Sequence, residues 1–326
     1  FYEIYAVIND EMHIGPDLNE ICDILNIHVA KRNNNIQEIN LDNFLMAGFP
    51  DHALVKYKNI LLNNNYTIIL VDQITPSPNP ERDVVEIISP ATTLDHFNKN
   101  DTNYLLSVYL SLYPSMIQNK KIYLLGVSLI DVTTGNSYVH KIQSTTDDEK
   151  IWKDELFKFI HYYSPSEILI HYDTKDININ KEEINSELSL NDSMIHINTN
   201  QTKDFYKPSY QNDFLSKIYK NTEGLSAVEY LNFERETEIR MSFIFMIQFI
   251  YEHKIQNTLE IKKPIFIENE KYLNLTYNSI YQLNLIKNYQ SSDSLNDKYS
   301  SLLSLLNNCH TAIGRRLCKE RLLYPI

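Results

Sequence analysis

Phe1-Tyr2-Glu3 places an aromatic ring and, two residues further on, a carboxyl. In an extended chain, side chains two apart project to the same side, so this ring and this carboxyl can meet one target together. A Phe ring can wedge between base steps and stack on a base of any identity, while a carboxyl beside it can hydrogen-bond a base edge. This is chemistry suited to probing a nucleobase. Alone, such a triplet is equally at home in a strand edge or a domain core. Its meaning depends on Met46-Ala47-Gly48-Phe49-Pro50-Asp51-His52-Ala53-Leu54, on Asp72-Gln73 and on Arg82-Asp83-Val84.

Elements must position these residues, and the chain is long enough to supply them. Its 326 residues suit two or three domains, with 43% hydrophobic and 22% charged residues as in ordinary globular proteins. A net charge of -12 excludes a surface that is basic all over, so contact with nucleic acid has to be local. Cys22, Cys309 and Cys318 are spaced neither as a disulfide framework nor as a C-x-x-C metal site. They are expected to be reduced thiols in an intracellular, soluble protein. The chain does not begin with Met, as expected where upstream residues have been lost. The most apolar run, Met241 to Tyr251, is too short to span a bilayer, so no membrane partner is expected. A phosphate-cradling loop needs Gly-x-x-x-x-Gly-Lys-Ser/Thr, and no two of the six glycines stand five apart. No cofactor and no catalytic or metal-ligating residues are therefore expected in this chain.

In order, Phe1 to Ile8 reads as a strand. Asp17 caps a short helix carrying Leu18, Ile21 and Leu25, and Ile36 to Leu45 reads as a second extended piece. Asn33-Asn34-Asn35 and Asn63-Asn64-Asn65 read as loops. Pro50 opens a helix with Leu54, Tyr57 and Leu61 on its apolar face and Asp51 near the positive end of the dipole. Tyr66 to Val71 is a β-branched run expected to form a buried strand. It pairs with Asp83 to Ile88 after the loop of Pro76, Pro78 and Pro80. These pieces make a small mixed α/β domain ending near residue 100.

A new pattern begins at Tyr104. Ile122 to Asp131 is a long strand, Thr133-Thr134-Gly135-Asn136 a turn, and Tyr138 to Ile142 the return. An amphipathic helix from Glu149 to Phe159 holds Trp152, and Ile168-Leu169-Ile170 is a further buried strand. This order suits an RNase H-like α/β domain. From Asp213 the chain turns helical, with Ser226 to Tyr251 expected as one long core helix. Polar stretches at 96–103 and 173–212 are expected to separate three units: 1–100, 101–208 and 209–326.

The N-terminal triplet, the Met46-Ala47-Gly48-x-Pro50-x-His52-Ala53 stretch, Arg82-x-Val84 and Ser89-Pro90-Ala91-Thr92 together resemble the mismatch-recognition domain of the MutS family. Asp72-Gln73 stands where that family usually has Glu-Gln, and Ala91 where it has glycine. Ser164-Pro165-Ser166-Glu167 resembles the family's entry into the connector. Cys309-x-Thr311-Ala312-x-Gly314-Arg315-Arg316-Leu317 and Leu322-Leu323-x-Pro325 resemble its helical core. The resemblance is strongest at 1–6, 46–90 and 301–325 and weak between 175 and 215.

The resemblance implies a mixed α/β fold: a small recognition domain at 1–100, an RNase H-like connector at 101–208, and the start of an all-α core, or lever, at 209–326. It implies binding of double-stranded DNA with mismatches or small loops, with Phe1 entering the minor groove and Glu3 testing the displaced base. Met46 and Pro50 belong to the same DNA-binding set by their place in the motif. Cations for the phosphates would be Arg82, Lys56, Lys58 and Arg32, in that order. For His52, a local hydrogen bond is the simpler reading, and for His310, Arg315 and Arg316 a packed, solvated helix. The family's ATPase, with ATP and Mg, is not expected in this chain. A homodimer or MutS-type dimer, and a downstream repair factor docking on the connector, are further expected partners. Two other classes are open: a MutS relative serving recombination or as an interaction scaffold, and a nuclease centred on Asp131. The latter needs several converging carboxylates, and none has recognisable spacing with Asp131.

Overall fold

A computed structural model describes residues 1–9, 11–76, 80–93, 103–114, 121–145, 148, 150–172, 182, 184, 188, 190, 195–198, 203–253, 260–267, 272–273, 275–286 and 299–325. The fold is mixed α/β, and the chain divides into two compact units, Phe1–Pro90 and Ala91–Ile326. The expected linker at 96–103 lies, but for residue 103, outside the described residues, as does much of 173–212.

The first unit holds a four-stranded sheet. Its strands are β1 (Tyr2–Ile8), β2 (His13–Ile14), β3 (Ala30–Lys31) and β4 (Leu45–Phe49), in the order β2-β1-β4-β3. β1 and β4 run antiparallel, with Glu3 opposite Gly48 and Tyr5 opposite Met46. One face carries Ile4, Ala6, Leu45 and Ala47 against helix α1 (Leu18–Leu25), which presents Leu18 and Cys22. Asp17 caps that helix by accepting from the amides of Asn19 and Glu20, as its sequence position predicts. Pro50 leads into a 3-10 turn at Asp51–Ala53 and then α2 (Leu54–Asn63), whose Tyr57 and Leu61 pack with Ile4, Ile21 and Leu25.

Two expectations for this unit are corrected. Residues 36–44 form a loop rather than a strand, and the strand starts at Leu45. Buried Asn43 folds the loop back on itself, its amide donating to the carbonyls of Ile36 (3.1 Å) and Glu38 (2.8 Å). It also accepts from the Asn33 amide at 2.8 Å. Backbone groups that would otherwise join a ladder are thus satisfied by a side chain. The second correction concerns the β-branched run. β5 (Ile68–Gln73) and β6 (Arg82–Ile88) form a two-stranded ribbon, not a buried pair, with Ile69 and Val71 exposed. The register slips between Leu70 and Val71, which bends the ribbon as a bulge does.

The second unit is built on a six-stranded sheet. β7 (Tyr104–Pro114), β8 (Lys121–Asp131), β9 (Asn136–Gln143), β10 (Glu167–Tyr172), β11 (Ile195–Asn198) and β12 (Ile265–Phe266) lie in the order β11-β10-β7-β8-β9-β12. β7, β8 and β9 form an antiparallel meander, while β10 runs parallel to β7 and β11 parallel to β10. Both faces are covered, which is why β7 and β8 read as nearly continuous apolar runs. Leu106, Val108, Leu125, Val127 and Ile168 pack with α3 (Ile151–Tyr163). Leu105, Tyr109 and Leu169 face the opposite cluster, which includes Leu215 of α4 (Pro208–Ile218) and Ala227 of α5 (Ala227–Tyr230). Phe243, Phe245 and Met246 of α6 (Thr237–Glu252) complete that cluster. The unit therefore runs across residues 208 and 209 without a break in packing. α7 (Tyr277–Gln282), α8 (Leu302–Leu306) and α9 (Ala312–Leu323) follow.

The single helix expected from Ser226 to Tyr251 is two. Ser226 and Glu229 form a reciprocal capping box at the start of α5, and the chain then turns through Asn232, which has a φ of 60°. Asn tolerates this left-handed conformation better than other non-glycine residues. Phe233, fully buried, anchors the turn in the core, and Arg240 donates to its carbonyl at 3.0 Å.

Candidate nucleic-acid interface

The outer face of the first sheet carries Phe1, Glu3 and Tyr5 from the N-terminal segment, and Phe44, Met46 and Gly48 from the β4 segment. Phe1 is 81% exposed, a large apolar surface to leave in water. Gly48 is the floor under this pair. A Cβ built there would lie 3.1 Å from Phe1 Cε1 and 3.3 Å from Glu3 Cγ. Ring and carboxylate stem thus flank the same glycine, as the spacing of two along β1 predicts.

Tyr2, on the opposite side of β1, ties the strand to the ribbon. Its phenol donates to Asp72 Oδ1 at 3.0 Å, and burial followed by that carboxylate raises its pKa above the ordinary value. Asp72 of the Asp72-Gln73 pair thereby acquires a structural role. Tyr5, two residues beyond Glu3 and on its face, donates its phenolic hydrogen to Glu3 Oε2. The Tyr5 pKa is raised chiefly by this bond, then by burial, while the positive charge of Arg82 acts in the opposite direction. The Tyr5 ring meets Phe44 edge-on at 5.1 Å, and the Arg32 guanidinium sits 5.5 Å from the Phe44 ring centre.

The residues expected at a DNA surface are gathered in part. Phe1, Glu3 and Met46 share the outer face, with Met46 half-buried opposite Tyr5. Arg82 is exposed, pairs across the ribbon with Gln73, and acts electrostatically on Tyr5. Pro50 is exposed at the end of β4, where it leads into the 3-10 turn. Lys56 stands apart, exposed on a helix that packs on the other face of the sheet, with its ammonium 5.6 Å from the Tyr57 ring centre. Lys58 lies 4.0 Å from Glu86 of the ribbon. Tyr5 and Phe44 are additions that sequence reasoning passed over. The period-two spacing that joins Phe1 to Glu3 also reaches Tyr5, and it was the available signal.

Asp131 is occupied otherwise. Buried at the end of β8, its Oδ1 accepts from the Thr133 amide (3.0 Å) and hydroxyl (2.6 Å), and its Oδ2 from the Thr134 hydroxyl (2.9 Å). It caps the hairpin turn in which Gly135 takes a φ of 69°. Among the described residues no three His, Cys, Asp or Glu side chains gather where they could hold a metal ion. Among them, too, no helix is long and apolar enough to cross a membrane.

The family model for MutS domain I matches residues 14–96, a span that includes Met46, Pro50, Lys56 and Arg82 and starts after Glu3. The DNA mismatch repair protein mutS homolog of Acanthamoeba polyphaga mimivirus is 30% identical over 348 residues, covering 100% of this chain and 30% of that protein. DNA mismatch repair protein MutS of Caldanaerobacter subterraneus subsp. tengcongensis is 27% identical, covering 86% of this chain and 29% of its own length. The Borreliella burgdorferi (strain ZS7) protein of the same name is 28% identical, with 100% and 32% covered. The chain thus spans about a third of the length of these relatives. With domain I matched within the first hundred residues and similarity to MutS-named proteins running along the rest, the chain belongs to the MutS family of DNA mismatch repair proteins.

Proposed function

We propose that the outer face of the first sheet reads mispaired or looped-out bases in duplex DNA and so initiates mismatch repair. The observation that carries this is the pairing of an exposed Phe1 ring with the Glu3 carboxylate over Gly48. A mispaired step has lost stacking and pairing, so kinking it costs less than kinking a matched one, and shape is read as energy. Phe1 fills the opened step from the minor groove, and Glu3 hydrogen-bonds the displaced base. Arg82 is the first cation for the backbone, and Arg32, against Phe44, is the next on this face. The net charge of -12 leaves this a local patch on an acidic chain.

The same proposal assigns 1–100 to mismatch recognition, 101–208 to an RNase H-like connector and 209–326 to the beginning of the helical core, with α4 to α6 packed on the connector sheet. Support for the connector is the meander β7-β8-β9, extended beyond β7 by parallel β10 and β11. The parent protein is proposed to be a dimeric, intracellular, DNA-dependent ATPase that uses ATP and Mg through a part outside this chain, with a repair factor docking on the connector. The hairpin-capping role of Asp131 weighs against a nuclease, and the joint presence of Phe1 and Glu3 weighs against a role restricted to recombination or scaffolding.

Glu3→Gln tests the reading. It keeps a hydrogen-bonding group and removes a negative charge from the DNA-facing side. In the full-length protein, affinity for matched duplex is expected to hold or rise while the ratio of mismatched to matched affinity falls. An unchanged ratio sinks the role of Glu3. The chain by itself is expected not to bind ATP, and saturable binding at micromolar nucleotide in a filter assay would relocate its functional centre.

A further inference from the structure

We infer that Tyr5 is a positioning residue for Glu3: the hydrogen bond from its phenol to Glu3 Oε2 holds the carboxyl beside Phe1 and leaves the other carboxyl oxygen to meet the base. The inference rests on the reading of the Phe1–Glu3 face given above. A Glu side chain has three rotatable bonds, and on an exposed strand little besides a partner orders it. Here the partner is two residues away on the same strand and the same face, so it travels with Glu3 whatever the rest of the domain does. The Tyr5 ring is itself fixed, edge-on to Phe44 at 5.1 Å and across from Met46 in the register of β1 and β4. It remains 45% exposed, which leaves its hydroxyl at the surface that a bound duplex would cover. The arrangement therefore runs from a packed ring, through a hydroxyl, to the carboxyl that tests the base.

The pair also divides the hydrogen-bonding work. A carboxylate accepts at both oxygens. With one lone pair of Oε2 engaged by Tyr5, Oε1 keeps its full capacity to accept from a base amino group. Tyr5 thus narrows what Glu3 can ask of a base. Among the described residues, the charged groups facing the pair are few. Arg82 acts on Tyr5 from β6, Arg32 lies against Phe44, and the flanking Met46, Phe44 and Gly48 carry no charge.

The test is a double-mutant cycle in the full-length protein with Tyr5→Phe, Glu3→Gln and both, reading the ratio of mismatched to matched duplex affinity. Tyr5→Phe keeps the ring against Phe44, so folding is preserved. It is expected to lower the ratio about three- to tenfold, the range for loss of one hydrogen bond. In the Glu3→Gln background the same change is expected to have much less effect. An equal loss in both backgrounds, or none in either, overturns the inference, because the hydroxyl would then act independently or not at all. A second arm needs no DNA. With ring-labelled tyrosine, the Tyr5 resonance, assigned by its disappearance in Tyr5→Phe, is titrated with and without Glu3→Gln. Its ionisation is expected to move down toward the ordinary value of about 10 when Glu3 is replaced. No movement overturns the inference. A wild-type protein lacking mismatch preference but showing this movement would sink the DNA reading alone.

Discussion

Replacing Phe1 with Ala is expected to abolish most of the preference for mismatched over matched duplex while weak binding to any duplex survives. The ring is 81% exposed, so its loss leaves no cavity and fold stability should scarcely change. What disappears is a stacking contact of about 1–3 kcal/mol per base, made only where a step opens, and hence the term that separates mismatched from matched DNA. Phosphate contacts from Arg82 and its neighbours are independent of sequence and remain. Binding of labelled mismatched and matched duplexes to the full-length protein at one fixed salt concentration measures both quantities. A ratio of affinities equal to that of the wild type would return Phe1 to the status of an ordinary aromatic at the head of a first strand.

Gly126→Ala is expected to be the most damaging single-methyl change in the second unit. Gly126 lies in β8 beneath the first turn of α6, and a Cβ there would fall 2.0 Å from the Glu238 carbonyl carbon and 2.3 Å from the Ile239 amide nitrogen. Those atoms are backbone, so no rotamer change relieves the clash and the helix must lift. Lifting it strains the buried Ser128–Ser242 hydroxyl contact at 2.6 Å. It also strains the bond from the Tyr113 phenol to Glu238 Oε1 at 2.7 Å. Overpacking costs about 1–3 kcal/mol when side chains can adjust. Against backbone the upper end applies, a lowering of Tm by roughly 6–12 °C for a unit of this size. Thermal unfolding of the chain followed by circular dichroism gives the answer, and an unshifted transition would mean that α6 does not rest on β8 so closely.

Local sequence carried a good part of the architecture. Asp17 announces the start of α1, the Thr133-to-Asn136 turn announces its hairpin, and the spacing of two puts Phe1 and Glu3 on one face. Each of these depends on residues within a few positions of one another, so backbone geometry alone decides them. The family was legible for a different reason, since the Met46-to-Ala53 stretch and its companions are distinctive as strings.

Other features were decided by residues distant in sequence. β7 read only as the beginning of a new apolar pattern, because its central place is set by pairing with β8 on one side and β10 on the other. Periodicity reports which side of a strand is apolar, not which strand lies beside it. The run Ile36 to Leu45 has the residue types of an extended segment, but Asn43 takes up the carbonyls of Ile36 and Glu38 and folds it into a loop. Helical spacing from Ser226 to Tyr251 concealed a break at Asn232, where burial of Phe233 outweighs continuation of the helix. At the candidate interface, residue types alone named Phe1 and Glu3. The tertiary structure supplied Gly48 as their floor and Tyr5 as the partner of Glu3, because a floor from β4 exists only once register is fixed, and a side-chain hydrogen bond only once both rotamers are.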